Sequence, residues 1–177
     1  EDDMLWDIQD AGHARLEQAG LGRYEISAYS RPGCRSRHNL NYWRFGDYLG
    51  IGAGAHGKLS RWAGDLLTIE RRWKSRQPDA YLRRMNDPRD FVAGRQTIAE
   101  DELPLEFAMN ALRLVDGVEM TAWETTSGRP AASMERHLSL LRDQGLIVQD
   151  TSRIQATPQG LLFLNELLTR IAEQSEG

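Results

Sequence analysis

Residues 38–43, His-Asn-Leu-Asn-Tyr-Trp, combine side chains that could hold a flat ligand containing iron. A neutral imidazole such as that of His38 can ligate iron. Tyr42 and Trp43 can stack on an aromatic macrocycle, and each keeps a polar atom for a hydrogen bond. The opposing interpretation, which the residues alone favour, is that His38 caps a helix and that Tyr42 and Trp43 are core residues. Four nearby arginines could pair with ligand carboxylates: Arg31, Arg35, Arg37 and Arg44.

A glycine-rich stretch at residues 50–57 follows this segment and contains a second histidine, His56. Closely spaced glycines let the backbone approach a ligand or another strand. If the stretch ends a barrel strand, His56 could line a ligand cavity, because such barrels place their sites at the carboxyl ends of strands. A glycine-rich strand end with a satisfied histidine has equal support. The candidate cofactor-lining residues are Gly50, Gly52, Gly54 and His56.

The single cysteine, Cys34, limits the redox and metal chemistry of the chain. One cysteine cannot form an internal disulfide, and it cannot supply the several thiolates of a zinc or iron–sulfur site. We expect Cys34 to be a surface thiol in a basic loop. The remaining histidines, His13 and His137, fall in helical patterns, and we expect both on helix surfaces.

The charges of this chain of 177 residues, which sum to −4, are segregated along it. Residues 31–95 hold fourteen basic against six acidic side chains, whereas the flanks at 1–30 and 96–177 are both acidic. A basic middle indicates either an anionic ligand or ion pairs between the blocks, and the second is slightly favoured. No apolar run approaches the ~20 residues of a membrane helix, and the N-terminus lacks a signal-peptide pattern. We therefore expect a cytoplasmic protein with no transmembrane segment.

Hydrophobic spacing predicts alternating helices and strands in the first half, which is typical of an α/β fold. The predicted elements are a helix over 4–19, a strand over 24–29, a helix over 38–45, a buried strand over 48–52 and an arginine-rich helix over 69–85.

From Leu103 the pattern becomes mainly helical and predicts a winged-helix arrangement. It consists of helices over 103–117, 121–126 and 131–144, a hairpin between 146–148 and 153–156, and a final helix from 158. The domain boundary falls near 90–103. Winged helices can bind DNA, but the third helix holds only Arg136 and Arg142 as cations, and the whole region is acidic. We therefore expect a structural role and no nucleic-acid partner.

Four segments occur in the order found in one known family: YEISAY at 24–29, PG at 32–33, HNLNYW at 38–43 and DYLGIGAGAHG at 47–57. Together they closely resemble the haem chaperone (HemW-type) branch of the oxygen-independent coproporphyrinogen III oxidase-like radical SAM proteins. The tail from about 103 is similar to the winged-helix-like C-terminal domain of that family.

The resemblance implies that the chain is the C-terminal part of such a protein, with an α/β fold that is α+β overall. Residues 1–60 would be the last helix and strands of a partial radical SAM (β/α) barrel, 61–102 a basic helical connector, and 103–177 the winged-helix-like domain. Family members bind S-adenosylmethionine and a [4Fe–4S] cluster through a CxxxCxxC loop that this sequence lacks. The chain alone is therefore not expected to be catalytic, and the N-terminal barrel is an expected partner.

The resemblance also links the HNxxYW motif to haem. It implies that His38, Asn39, Tyr42 and Trp43 bind haem, with His38 as the metal ligand. In the oxidase branch, the stretch that matches residues 50–57 lies beside S-adenosylmethionine. Many relatives carry a cysteine two residues before the motif histidine, where this chain has Ser36.

Three functions remain open from the sequence. The leading hypothesis is a haem chaperone that binds haem and passes it to acceptor proteins, with the basic segment 31–44 meeting the haem propionates. The second is oxygen-independent coproporphyrinogen III oxidation by the intact protein. The third, a winged-helix regulator, conflicts with the acidic charge of residues 96–177.

Overall fold

The chain begins with a long helix, a hairpin and a two-turn helix. A computed structural model describes residues 2–64, 66–84 and 92–174. The helices predicted over 4–19 and 38–45 are confirmed, whereas the strand predicted over 24–29 is a hairpin with a turn at 26–27. The buried strand predicted over 48–52 is wrong, because this stretch is mostly coil, and Leu49 and Ile51 are exposed. The elements are α1 (Asp2–Gln18), β1 (Gly22–Glu25), β2 (Ala28–Ser30) and α2 (Arg37–Trp43).

A three-stranded antiparallel sheet occupies the middle of the chain, where helix was predicted. It has the order β3 (His56–Ala63), β4 (Leu66–Lys74) and β5 (Val92–Thr97). The arginine-rich helix over 69–85 is therefore wrong. The connector over 61–102 is not helical either, except for α3 (Pro78–Arg83) among its described residues. In β4, Ile69 is the buried residue and contributes to the hydrophobic core, while Thr68 and Glu70 beside it are half-buried.

Strand pairing is antiparallel in every ladder of the described residues. The β1–β2 hairpin is extended by an antiparallel bridge between Glu25 and Leu114. The mixed helix-and-sheet fold class is confirmed, while the assignment of residues 1–60 to the end of a barrel stays a prediction.

The C-terminal region contains the predicted order of helix, helix, helix, short ladder and helix. The ladder differs from the predicted hairpin, because β7 pairs with β6 and the 146–148 segment joins through a bridge between Ile147 and Ala156. The last helix is broken at Phe163 into two pieces. The elements are α4 (Leu103–Ala111), β6 (Val118–Glu119), α5 (Met120–Ser127), α6 (Ala131–Asp143), β7 (Arg153–Ile154), α7 (Pro158–Leu162) and α8 (Leu164–Glu173).

One hydrophobic core joins these parts. Phe107 of α4 is fully buried, with its ring centroid 5.5 Å from that of Phe45, just after α2, and 5.4 Å from that of Trp123 on α5. Tyr24 of β1 and Ile69 of β4 belong to the same buried cluster. The core is therefore continuous across the predicted boundary near 90–103. Within the described ranges, the helices are too short or too polar to span a lipid bilayer.

Candidate functional site

Helix α2, which carries the HNLNYW segment, begins at a capped N-terminus. Ser36 is extended, and its Oγ accepts a hydrogen bond from the Asn39 backbone N–H at 3.2 Å. Serine is a preferred N-cap because its oxygen satisfies one of the free N–H groups of the first turn. Ser36 is thus the cap, and the interpretation of His38 as the cap is wrong. His38 is exposed in the first turn.

One side of α2 carries a row of rings. His38 and Tyr42 lie one turn apart and meet edge to face, with ring centroids separated by 4.7 Å. Tyr42 also contacts Tyr48, which follows the helix, at a centroid distance of 4.2 Å. Burial raises the pKa of the Tyr48 phenol, so this side chain is protonated at neutral pH. His38, Tyr42 and Tyr48, hereafter the aromatic row, place an exposed imidazole at the end of two tyrosine rings.

The other side of α2 packs into the protein. Asn39 Nδ2 donates a hydrogen bond to the hydroxyl oxygen of Tyr24, which is almost fully buried in β1, at 3.2 Å. Trp43 packs against the hydrophobic core. The four motif residues therefore divide into an inner pair, Asn39 and Trp43, and an outer pair, His38 and Tyr42. The interpretation as a core residue fits Trp43, but it does not fit Tyr42.

Trp43 is covered by a cation that sequence reasoning missed. The guanidinium carbon of Arg113 lies 4.3 Å from the centre of the Trp43 ring. Arg113 Nη2 is also 3.5 Å from a carboxylate oxygen of Glu25, which is 1% exposed. These residues are 70 and 88 positions from Arg113 in the sequence, so no local pattern could have indicated the contact.

The end of α2 is tied to the sheet by Asp47. Its carboxylate accepts hydrogen bonds from the Ser60 backbone N–H at 2.7 Å and the Ser60 hydroxyl at 2.8 Å, and it pairs with Lys58 at 3.2 Å. Partial burial opposes ionisation of Asp47, but the hydrogen bonds and the Lys58 ammonium outweigh it and lower the pKa of the carboxyl group. Burial lowers the pKa of Lys58, whose ammonium also lies 3.9 Å from the Phe45 ring centre.

The glycines of residues 50–57 have intramolecular reasons for their identity. A side chain at Gly50 would overlap the backbone carbonyl of His56, and one at Gly57 would lie 3.1 Å from the carbonyl oxygen of Tyr48. Gly52 and Gly54 have φ values of +100° and +71°, which favour glycine. The stretch folds back on itself as an exposed loop. Its role in lining a cofactor stays a prediction.

His56 lies apart from the aromatic row. It is exposed at the start of β3, opposite Trp73 in the register with β4. It lines an open cavity of about 370 Å³ to which α2 contributes no described residue. The cavity is basic, because Lys74 and Arg76 line it too. The structure therefore separates the two candidate histidines into different surroundings.

The four arginines near the motif differ in their availability. Arg35 pairs with Asp116 at 2.7 Å and lines a cleft of about 430 Å³ together with Arg44. Arg31 and Arg37 are exposed, and neither forms an ion pair with another described residue. Arg37 directly precedes His38 in the first turn of α2.

Two further buried groups were missed in the helical region. His137 is 8% exposed rather than on a helix surface. Burial and the Arg136 charge lower the pKa of His137 despite its hydrogen bond with the Ile171 backbone. Arg142 is 3% exposed, pairs with Glu135 and donates to three backbone carbonyls of residues 148–153. Arg142 therefore stabilises the fold and is not a surface cation.

The metal-binding donors of this chain suit a single histidine ligand better than a cluster. Cys34, the only cysteine of the sequence, is exposed as predicted. In the part of the chain that the structure describes, no three side chains among His, Cys, Asp and Glu converge on a metal site. The residues present therefore do not fit a [4Fe–4S] cluster, whose ligands are several thiolates.

A domain family and several curated proteins are similar to this chain. Residues 98–163 match the HemN C-terminal domain family. Heme chaperone HemW from Haemophilus influenzae is 40% identical over 95% of this chain and 42% of its own length, and Heme chaperone HemW from Escherichia coli is 38% identical over the same shares. The chain thus spans about two-fifths of the length of these relatives.

A solved structure gives the corresponding likeness in three dimensions. It is that of coproporphyrinogen III oxidase (HemN) from Escherichia coli, a radical SAM enzyme, which matches 94% of this chain and 40% of its own with a TM-score of 0.62. The two are 17% identical, so the match describes the fold alone.

Proposed function

Since the chain belongs to the HemN-like radical SAM family, in the group of the haem chaperones HemW, we propose that it forms the haem-holding part of such a chaperone. The observation that carries the proposal is the aromatic row, in which an exposed imidazole stands beside two tyrosine rings on one side of α2. In this proposal the protein is cytoplasmic, haem is its cargo, and haem-accepting proteins receive it.

Each outer residue has a role that follows from its chemistry. The imidazole of His38 ligates the haem iron, because a neutral ring nitrogen is a common axial ligand. Tyr42 and Tyr48 offer ring surface to the macrocycle. Arg31 and Arg37 pair with the propionates, because both are exposed and neither is paired with another described residue. Tyr48 is added by the structure, since it lies outside the HNxxYW motif.

The inner residues act on the helix and not on the ligand. Asn39 and Trp43 hold α2 against β1 and the core. Their part in haem binding is indirect in this proposal, whereas the family resemblance implies that Asn39 and Trp43 bind haem themselves. The glycine-rich loop and His56 are assigned to S-adenosylmethionine and cavity lining only through the resemblance.

Radical chemistry is not attributed to the residues described here. The cluster requires several thiolates, whereas this chain has a single cysteine. In the proposed chaperone, cluster and S-adenosylmethionine binding belong to an N-terminal barrel like that of the relatives. The helical region from Leu103 packs on α2 and is available to contact the barrel or an acceptor protein.

The test is a haem titration of the chain, followed by the Soret band, with His38→Ala and His56→Ala as matched variants. Both histidines are exposed, so neither substitution creates a cavity. We expect His38→Ala to lower haem affinity at least about tenfold and to change the Soret position, while His56→Ala binds like the wild type.

Two results would overturn this assignment. If His56→Ala alone loses haem, the ligand lies in the cavity at the start of β3. If the folded wild-type chain binds no haem, the chain does not hold the site by itself.

A further inference from the structure

Arg113 reaches from the helical region to the inner side of the haem motif. Its backbone is fixed against β1, because the Arg113 carbonyl accepts from the Ile26 N–H at 3.0 Å and the Val115 N–H donates to the Tyr24 carbonyl at 3.1 Å. This places the side chain between β1 and α2. The HemN C-terminal domain match at 98–163 includes Arg113, whereas α2 lies outside it.

The Arg113 guanidinium contacts an aromatic ring and two oxygen-bearing side chains at the same time. It lies over the Trp43 ring at 4.3 Å, and its Nη2 is 3.5 Å from the Glu25 carboxylate and 3.4 Å from the Ser27 hydroxyl oxygen. The Ser27 hydroxyl donates to the other Glu25 oxygen at 2.8 Å. A carboxylate as buried as that of Glu25 requires a paired cation. The pair therefore keeps the guanidinium plane at Trp43.

Helix α2 depends on such contacts for its position. It has seven residues, and none of them is fully buried. Isolated helices shorter than about 12 residues are marginal in water, so tertiary contacts must hold α2 in place. Leu40 packs on the hydrophobic core, and two further inward contacts end on neighbouring residues of β1, Asn39 on Tyr24 directly and Trp43 on Glu25 through Arg113.

We propose that Arg113 is a positioning residue for the haem motif, acting through Trp43 to hold α2 and its outer face in the binding geometry. This inference rests on the proposed haem-binding function for its final step, while its first step concerns α2 alone. It makes the HemN C-terminal domain part of the haem site's scaffold, because that domain supplies the side chain that covers Trp43.

The experiment uses Arg113→Lys in the full chain. Lysine keeps a positive charge for Glu25, so the fold is retained, but its compact ammonium cannot pair with this carboxylate and cover the Trp43 ring at the same time. The first measurement is amide hydrogen exchange of peptides that cover residues 36–45. The control is Arg129→Lys, which changes an ion pair with Glu100 in the same region, away from α2.

We expect Arg113→Lys to speed exchange in α2 about five- to thirtyfold, the factor that corresponds to one partly desolvated cation–π contact. Haem affinity should fall by a similar factor, with the Soret position of the bound form unchanged because His38 still ligates iron. Arg129→Lys should change neither quantity.

Three results would contradict the inference: wild-type exchange of α2 in Arg113→Lys, equal acceleration in Arg129→Lys, or faster exchange with unchanged haem affinity. The exchange arm separates this inference from the proposed function. If the wild-type chain binds no haem, the proposed function fails, and α2 exchange still decides whether Arg113 positions the helix.

Discussion

Helix α2 and the glycine-rich loop at 50–57 are neighbours in sequence, yet their residues are constrained in different ways. In α2, the inner residues Asn39 and Trp43 contact β1 and the core, whereas the outer residues are an exposed His38 and a half-buried Tyr42 that contacts other rings. In the loop, backbone packs on backbone at Gly50 and Gly57, and positive φ angles favour glycine at positions 52 and 54, so the fold itself accounts for these glycines. A motif can therefore leave side chains accessible in one segment and reflect close backbone packing in the next.

The loop should respond most strongly to added volume. Gly50→Ala places a methyl group against the backbone of His56, where no side chain can move away, and we expect a loss of roughly 3 kcal/mol in the free energy of unfolding. The measurement is urea denaturation. Gly52→Ala is the control, since its site is open and only its φ of +100° opposes a side chain. It should cost about 1 kcal/mol.

Equal losses in Gly50→Ala and Gly52→Ala would show that conformational freedom, and not close approach, accounts for the glycines. The loop and α2 would then not differ in this way, because the loop would have room for a ligand beside its backbone.

A second pair of variants should show that the inner face of α2 contributes mainly to stability and the outer face mainly to haem binding. Trp43→Ala removes core packing and the surface under Arg113, and we expect it to lower the free energy of unfolding by about 2 kcal/mol. Tyr42→Ala loses its contact with Tyr48, which is worth about 1 kcal/mol, but it removes ring surface from the proposed haem platform.

Urea denaturation and the Soret titration together check this separation. Haem binding by Tyr42→Ala should weaken at temperatures where the variant is fully folded. A Tyr42→Ala chain that binds haem as the wild type does would remove this residue from the platform and leave His38 without a stacking partner on α2.

The helices could be predicted from the sequence because their signals are local. The span of α1 and the α6 end before Gly145 follow from apolar spacing and a capping glycine, whereas the predicted start of α2 at His38 misses the Ser36 cap. The sheet could not be predicted, because the arginines of β4 fit a helix surface as well as an exposed strand face. Only pairing decides between them, with β3 directly before β4 and with β5 at residues 92–97.

The residues of the candidate site could be predicted from the sequence, but their arrangement in space could not. The HNLNYW segment identifies the residues that could meet haem, but its division into two faces depends on what surrounds the helix. Tyr48, Arg113 and Glu25 reach the motif through the turn after α2, the segment after α4 and strand β1. None of these contacts has a spacing that a sequence pattern could reveal.

Asp47 connects α2 with the three-stranded sheet. Its backbone carbonyl accepts a hydrogen bond from Asn41 of α2, and its carboxylate binds Ser60 and Lys58 of β3. Its pKa is lowered in the folded chain, so the carboxylate stabilises the fold above about pH 4, and this contribution is lost as the pH falls further. Asp47→Asn should therefore cost less than about 1 kcal/mol at pH 7, as expected for a partly exposed pair.

The pH dependence gives the sharper measurement for Asp47. Urea midpoints of the wild type and Asp47→Asn should differ most at pH 7 and converge toward pH 3, because protonation removes the charge that the variant lacks. Ser60→Ala keeps the carboxylate and loses one hydrogen bond, so its difference from the wild type should be smaller but should shrink in the same direction. A gap that stays constant with pH would mean that Asp47 connects α2 and the sheet through its shape and hydrogen bonds, without a contribution from its charge.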